Sequence, residues 1–178
     1  LDSRALLQEA GISPDLLRIE MARVSSDQFS KLMQVIWQRT GDEFMGMGPR
    51  RARSGTFATM CALVVGCQTL EEVYQQAFRF SRLFEPMVSM ELEIFGDRAR
   101  LVTRIEGSIH DPDYFLRESI LVIWHRLGSW LIGQPVELEK AEFDYPRPDH
   151  GDEYRHIFHC PLAFESDSTA LTFSKRFL

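Results

Sequence analysis

Val88-Ser89-Met90-Glu91-Leu92-Glu93-Ile94-Phe95-Gly96-Asp97-Arg98-Ala99-Arg100-Leu101-Val102-Thr103-Arg104-Ile105 is the stretch from which the fold is best read. Val88, Met90, Leu92 and Ile94 alternate with Ser89, Glu91 and Glu93, the period of two that buries one side of a strand. Gly96-Asp97 suits a two-residue turn with glycine first. Folding the chain about that turn sets Ile94 against Ala99, Leu92 against Leu101, Met90 against Thr103 and Val88 against Ile105, while Glu93 meets Arg100 on the other face. With one face apolar the register is specified, because a slip of one residue would invert every side chain.

Before this hairpin the sequence is helical. Leu6, Leu7 and Ala10 form a small apolar face that Gly11 ends, and Ser13-Pro14 opens a turn. Ser25 and Gln28 have capping-box spacing ahead of Phe29, Leu32, Met33, Ile36 and Trp37, which predicts a helix over 26–40 stopped at Gly41. Residues 45–54, with Arg50, Arg51, Arg53 and Pro49, have no period and read as a mobile connection. A third helix is expected over 55–65. A fourth starts at the capping pattern Thr69 to Glu72 and continues through Val73, Ala77, Phe80 and Phe84 to a stop near Pro86.

After the hairpin, Asp111-Pro112 predicts an N-cap with proline at the first helical position, opening a helix over 112–132. Phe115, Ile120, Ile123, Trp124, Leu127, Trp130 and Leu131 cover more than one stripe, so this helix is expected to be the most buried element. Residues 136–145 read as a strand whose apolar parity switches between Leu138 and Ala141, the mark of a bulge near Glu139. A short helix over 150–158 and two brief strands at 162–164 and 170–173 complete an α+β chain: a helical N-terminal half, then a β-hairpin, a long buried helix and further strands in one small sheet packed with helices.

Composition narrows the function. At 178 residues, 44% apolar and 26% charged, the chain is expected to fold as one domain over 1–178. A net charge of −6 opposes direct binding to nucleic-acid phosphates, which needs basic residues gathered on one face. Cys61, Cys67 and Cys160 form no paired framework, which predicts reduced thiols and a cytoplasmic setting, and no apolar run is long enough for a membrane span.

A catalytic reading finds no home. There is no G-x-S-x-G, P-loop or G-x-G-x-x-G, and Glu71-Glu72 sits in a first helical turn, where the helix dipole explains its charge. His150, His156, His159 and Cys160 lie close in sequence, but no second cluster completes a four-ligand metal site, so neither metal nor cofactor is expected. The chain reads as a non-enzyme. His125, between Trp124 and Arg126, is either a buried histidine with a local hydrogen-bond partner or a ligand contact. The aromatic set of Trp37, Phe57, Phe80, Phe84, Trp124 and Trp130 is either core or the wall of an apolar pocket, and Arg79 and Arg82 beside Phe80 either orient an anionic group or face solvent.

The run Pro146-Arg147-Pro148-Asp149-His150, then Tyr154, Phe158, Cys160-Pro161-Leu162, Phe164, Leu171 and Phe173, resembles the N-terminal domain of one AraC-type regulator subfamily. The 54–70 run and Trp130-Leu131-Ile132-Gly133 resemble two of its earlier blocks, in order. Thr169 departs from the pattern, which would have asparagine there, so the last turn is expected to be built differently. The resemblance implies a bacterial transcription regulator whose DNA-binding helix-turn-helix units lie in a separate C-terminal domain absent from this sequence. The subfamily is unlike the cupin-type sugar pocket of its namesake, so arabinose is not implied.

The expectation is therefore a ligand-sensing and dimerisation domain: a homodimer that takes a small-molecule effector, meets DNA only through the other domain and contacts RNA polymerase. The expected ligand-binding residues are Phe57, Met60, Cys61, Phe80, Trp124 and His125, between the apolar sheet face and the helices over 55–65 and 112–132. A protein-interaction module that dimerises without a small-molecule ligand is the alternative.

Overall fold

In the computed structural model, which describes residues 1–19, 21–48, 50–84, 87–105, 107 and 109–178, β1 (Val88–Phe95) and β2 (Arg98–Ile105) pair in the register their alternation sets. Val88 opposes Ile105, Leu92 opposes Leu101, and Arg100 reaches Glu93 at 3.2 Å. Gly96 takes φ +61, the conformation a glycine-first turn requires. β3 (Leu138–Glu142), β4 (Leu162–Ala163) and β5 (Thr169–Ser174) complete a five-stranded sheet in the order β1-β2-β5-β3-β4. Its pairs are antiparallel except β3 with β4, so the sheet is mixed. The register of β3 on β5 shifts between Leu138 and Lys140, which places the predicted bulge at Glu139. One sheet face carries Met90, Leu101 and Leu171, and the other carries a ladder of ion pairs, Glu91–Arg104, Glu93–Arg100–Glu142–Lys140 and Arg98–Glu139.

The chain divides into two compact units, Leu1–Phe57 and Ala58–Leu178. In the first, α1 (Ser3–Glu9) is capped by Asp2 and ends before Gly11, and Leu7, Ala10 and Ile12 pack with Leu16 and Leu32. In α2 (Ser26–Thr40) both capping-box bonds form between Ser25 and Gln28, and Gly41 closes the helix in the left-handed conformation with its N–H on the Trp37 carbonyl. The following connection is irregular but tied down. The Asp42 carboxylate accepts the amides of Phe44, Gly46 and Ala52, and Glu43 accepts those of Gly55 and Phe57. Pro49 lies outside the described residues.

α3 (Thr56–Val64) buries Met60 and Val64. α4 (Leu70–Ser81) is capped by the Thr69 hydroxyl on the Glu72 amide, while the Glu72 carboxylate turns back to the Gln68 amide, one residue before the position a capping box uses. A 3-10 turn, Arg82–Phe84, follows; Pro86, the expected stop, lies outside the described residues. α5 spans Phe115–Leu131 and so starts later than Asp111-Pro112 predicts. Tyr114 is left-handed at φ +60 and stacks its ring on Tyr145 at 4.0 Å, and Asp111 caps the helix from outside by accepting the Leu116 and Arg117 amides.

α5 is also less buried than its composition suggests. Leu116, Ile120, Leu121, His125 and Gly128 are buried, but Ile123 is half exposed and Trp130 is 74% exposed. The most buried element is β5, where Thr169 through Phe173 are all hidden, because it is the middle strand of the sheet. α6 (Tyr154–Phe158) is the short helix near the chain's end. Together with Leu121, Ala141, Phe143, Tyr145 and Leu171, its Tyr154 and Phe158 form an apolar cluster on the sheet.

Candidate functional site

The amphipathic pattern of α4 divides it into an inner and an outer face. Leu70, Val73, Tyr74, Ala77 and Phe78 are buried, and Glu71, Gln75, Arg79 and Arg82 recur at helical spacing on the other side. Phe78 and Tyr74 meet Trp124 of α5 at centroid distances of 5.3 and 6.1 Å. Gly128, one turn on from Trp124, makes this approach possible: a Cβ there would lie 2.5 Å from the Tyr74 hydroxyl. Burial pushes the Tyr74 hydroxyl far above its ordinary pKa, so it stays protonated.

His125, next along α5, points elsewhere. Its Nε2–H donates to the Val136 carbonyl at 2.7 Å. Burial lowers its pKa below the ordinary histidine value, the Val136 contact opposes that, and the nearby Arg126 adds to the lowering. The ring is therefore held neutral. Of the expected site residues, Trp124 thus joins Tyr74 and Phe78, while Phe80 pairs edge-on with Phe84 at 5.1 Å. Met60 is buried and Cys61 half-buried on α3, and Phe57, in the first turn of that helix, is 40% exposed.

The 146–164 signature folds into an aromatic cluster. Phe143 touches Tyr145, Tyr154, Phe158 and Phe164 at 4.8–5.6 Å between centroids. The four-residue spacing of His150 and Tyr154 brings both onto Glu118 of α5: His150 Nε2 lies 2.7 Å from Glu118 Oε1, and the Tyr154 hydroxyl donates to the same oxygen. Tyr145 extends the chain of bonds to Tyr154, and burial holds both phenols protonated. Glu118 was not among the sequence candidates, since a lone acid on a helix face marks no partner until the fold brings His150 and Tyr154 to it. Thr169, the departure from the family pattern, donates to the Asp144 carboxylate at 2.6 Å and accepts the Asp144 amide. Burial raises the Cys160 thiol to about 11, and among the described residues no three His, Cys, Asp or Glu side chains gather as metal ligands.

Two open grooves flank α4. One, about 420 Å³, runs between α4 and β1 and is lined by Glu71, Gln75, Phe78, Arg79, Arg82 and residues 91–94. The other, about 520 Å³, lies on the α3 side and shares Gln75 and Arg79 with the first. On the β2-facing side of the first groove, Glu91 and Glu93 are already matched by Arg104 and Arg100. Among the described residues neither Arg79 nor Arg82 has an ion pair. No helix among the described residues is long and apolar enough to cross a membrane.

A helical first half leading into a hairpin, long helix and mixed sheet, with a cluster of aromatic rings on that sheet, defines an α+β module. The chain belongs to the family described as the arabinose-binding domain of AraC transcription regulators, N-terminal, which it matches over residues 1–178. That is a family of transcription regulators, not of enzymes. The chain is similar to the ornithine utilization regulator of Pseudomonas aeruginosa, at 22% identity over 163 residues, covering 91% of this chain and 48% of that protein. Its fold is similar to the crystal structure of the transcriptional regulator CdpR from Pseudomonas aeruginosa, with a TM-score of 0.53 and 14% identity, covering 98% of this chain and 55% of that one. The chain spans about half the length of these relatives.

Proposed function

We propose that residues 1–178 act as one effector-binding and dimerisation domain of an AraC-type regulator, controlling transcription through a DNA-binding domain elsewhere in the protein. The observation that carries this is the match to the arabinose-binding N-terminal family along the whole chain. A small ligand acts here by binding one of two arrangements more tightly, so shifting their populations and the placement of the DNA-binding half. The name of the ornithine utilization regulator makes an amino acid the first class of effector to test. The residues proposed to meet the effector are Phe57, Met60, Cys61, Phe80, Trp124 and His125. Support comes from the sheet itself, where, among the described residues, the Thr103 hydroxyl is buried without a hydrogen-bond partner, an arrangement that costs about 1–3 kcal/mol until a polar group satisfies it. Homodimerisation and an RNA polymerase contact are further parts of the proposal.

The test is native mass spectrometry of the protein purified from its host, expected to show a retained small molecule. Trp124→Ala is expected to weaken that molecule's binding; unchanged affinity sinks this placement. The alternative, a dimerising interaction module without a ligand, is favoured by the open form of both grooves flanking α4. It predicts a dimer whose stability no small molecule alters.

A further inference from the structure

We infer that the groove between α4 and β1 is a carboxylate-recognition site, and that it takes a small amino-acid-like molecule by its acid end. The inference rests on the effector-sensing reading above but assigns residues that reading leaves out. Arg79 and Arg82 are one helical turn apart and line the groove together. Both are exposed, and among the described residues both lack an ion pair, whereas the acids across the groove are neutralised by Arg100 and Arg104. The groove's unmatched charge at this end is therefore cationic in a chain whose net charge is −6. Paired guanidinium groups offer donors in a fork geometry that fits a carboxylate.

The other end of the groove suits an ammonium group. Glu71, two turns back along the same face, has among the described residues only the neutral Gln75 amide on its carboxylate. β1 is the edge strand of the sheet, so its outward backbone N–H and C=O groups have no strand partner among the described residues and add donors and acceptors along one wall. Phe78, Leu92 and Ile94 supply apolar contact for the carbon chain between the two ends.

Residues 175–178 are tied at both ends to the elements that flank this groove, at the hairpin turn after β1 and at the head of α4. The Lys175 amide donates to the Asp97 carbonyl at the hairpin turn at 2.8 Å, and the Glu71 amide at the head of α4 donates to the Leu178 carbonyl at 3.3 Å. A ligand that draws α4 and β1 together changes the spacing of these two anchors.

The test is calorimetric titration of the chain with L-ornithine, L-arginine and L-glutamate, and with putrescine, which keeps the two amines of ornithine but lacks the carboxylate. At least one amino acid is expected to bind, putrescine at least about tenfold more weakly than L-ornithine where the latter binds, and Arg79→Gln and Arg82→Gln each to weaken binding by about tenfold or more. Both positions are exposed, so the variants are expected to fold as the wild type does, which circular dichroism checks. Binding is also expected to slow hydrogen exchange at the Lys175 and Glu71 amides. The inference is overturned if none of the three amino acids binds, if putrescine binds as well as L-ornithine, or if both arginine variants retain wild-type affinity. Retention of a different host molecule whose affinity Arg79→Gln and Arg82→Gln leave unchanged overturns this site and leaves the effector-sensing reading standing.

Discussion

Asp42 and Phe143 are equally hidden, 1% and 0% exposed, yet they order their surroundings in opposite ways. Around Asp42 a carboxylate gathers three backbone amides from an aperiodic connection, with Glu43 collecting two more. Around Phe143 four aromatic rings and the apolar sheet face exclude water with few directed bonds. The first arrangement depends on single acceptors, since a buried amide without a partner is costly. The second spreads its energy over many contacts, each small. Failure at Asp42 is therefore expected to be local, and failure at Phe143 to spread through the sheet.

Phe143→Ala gives the largest effect. Emptying a fully buried ring site costs about 3–5 kcal/mol, measured as a drop in the denaturant midpoint of the second unit. Asp42→Ala follows at about 2–3 kcal/mol, because three amides lose a charged acceptor. Hydrogen exchange discriminates the two. Asp42→Ala is expected to speed exchange at Phe44, Gly46 and Ala52 while amides of β2 and β5 keep their protection. Equal acceleration in the sheet would break the contrast.

This contrast also explains what could be read from sequence. The 88–105 register was legible to the residue, since alternating side chains state which face is buried. The Ser25 box and the Glu139 bulge were legible for the same reason: each leaves a pattern. The Asp42 and Glu43 tethers leave none, because a carboxylate meeting backbone amides asks nothing of the residues it meets. Asp111 was read with the right chemistry at the wrong distance, as its cap acts across a turn that Tyr114 makes in a conformation sequence does not announce. At the candidate site, the packing of Trp124 on α4 needed the tertiary fold, and Gly128 inside a helix was the local hint of that close approach.

Gly128→Ala sharpens the comparison within the second unit. Its Cβ would press on the buried Tyr74 hydroxyl, at a cost of about 1–3 kcal/mol, and Trp124 fluorescence should shift as the helices separate. A stabilised variant with unchanged emission would mean that the contact relaxes freely. Thr169→Val tests a directed bond inside the apolar region. Losing the hydroxyl that both donates to and accepts from Asp144 is expected to cost about 1 kcal/mol in thermal unfolding, less than Gly128→Ala.

The smallest effect at neutral pH is that of His125, and its signature is pH dependence. Burial holds this ring neutral in the folded chain, so its folded pKa lies below the unfolded value of about 6.5. Between those two values the unfolded chain binds more protons than the folded one, and stability rises with pH. The contribution of His125 is thus complete above about pH 6.5 and declines on acidification through the unfolded value toward the folded one, with a slope no steeper than about 1.4 kcal/mol per pH unit. His125→Gln retains a donor for the Val136 carbonyl but cannot take up a proton. Unfolding free energies measured from pH 7.5 to 5 should therefore fall less steeply in the variant than in the wild type. Parallel curves would show that the ring titrates alike in both states, and the bond to Val136 would then hold a charged imidazole as readily as a neutral one.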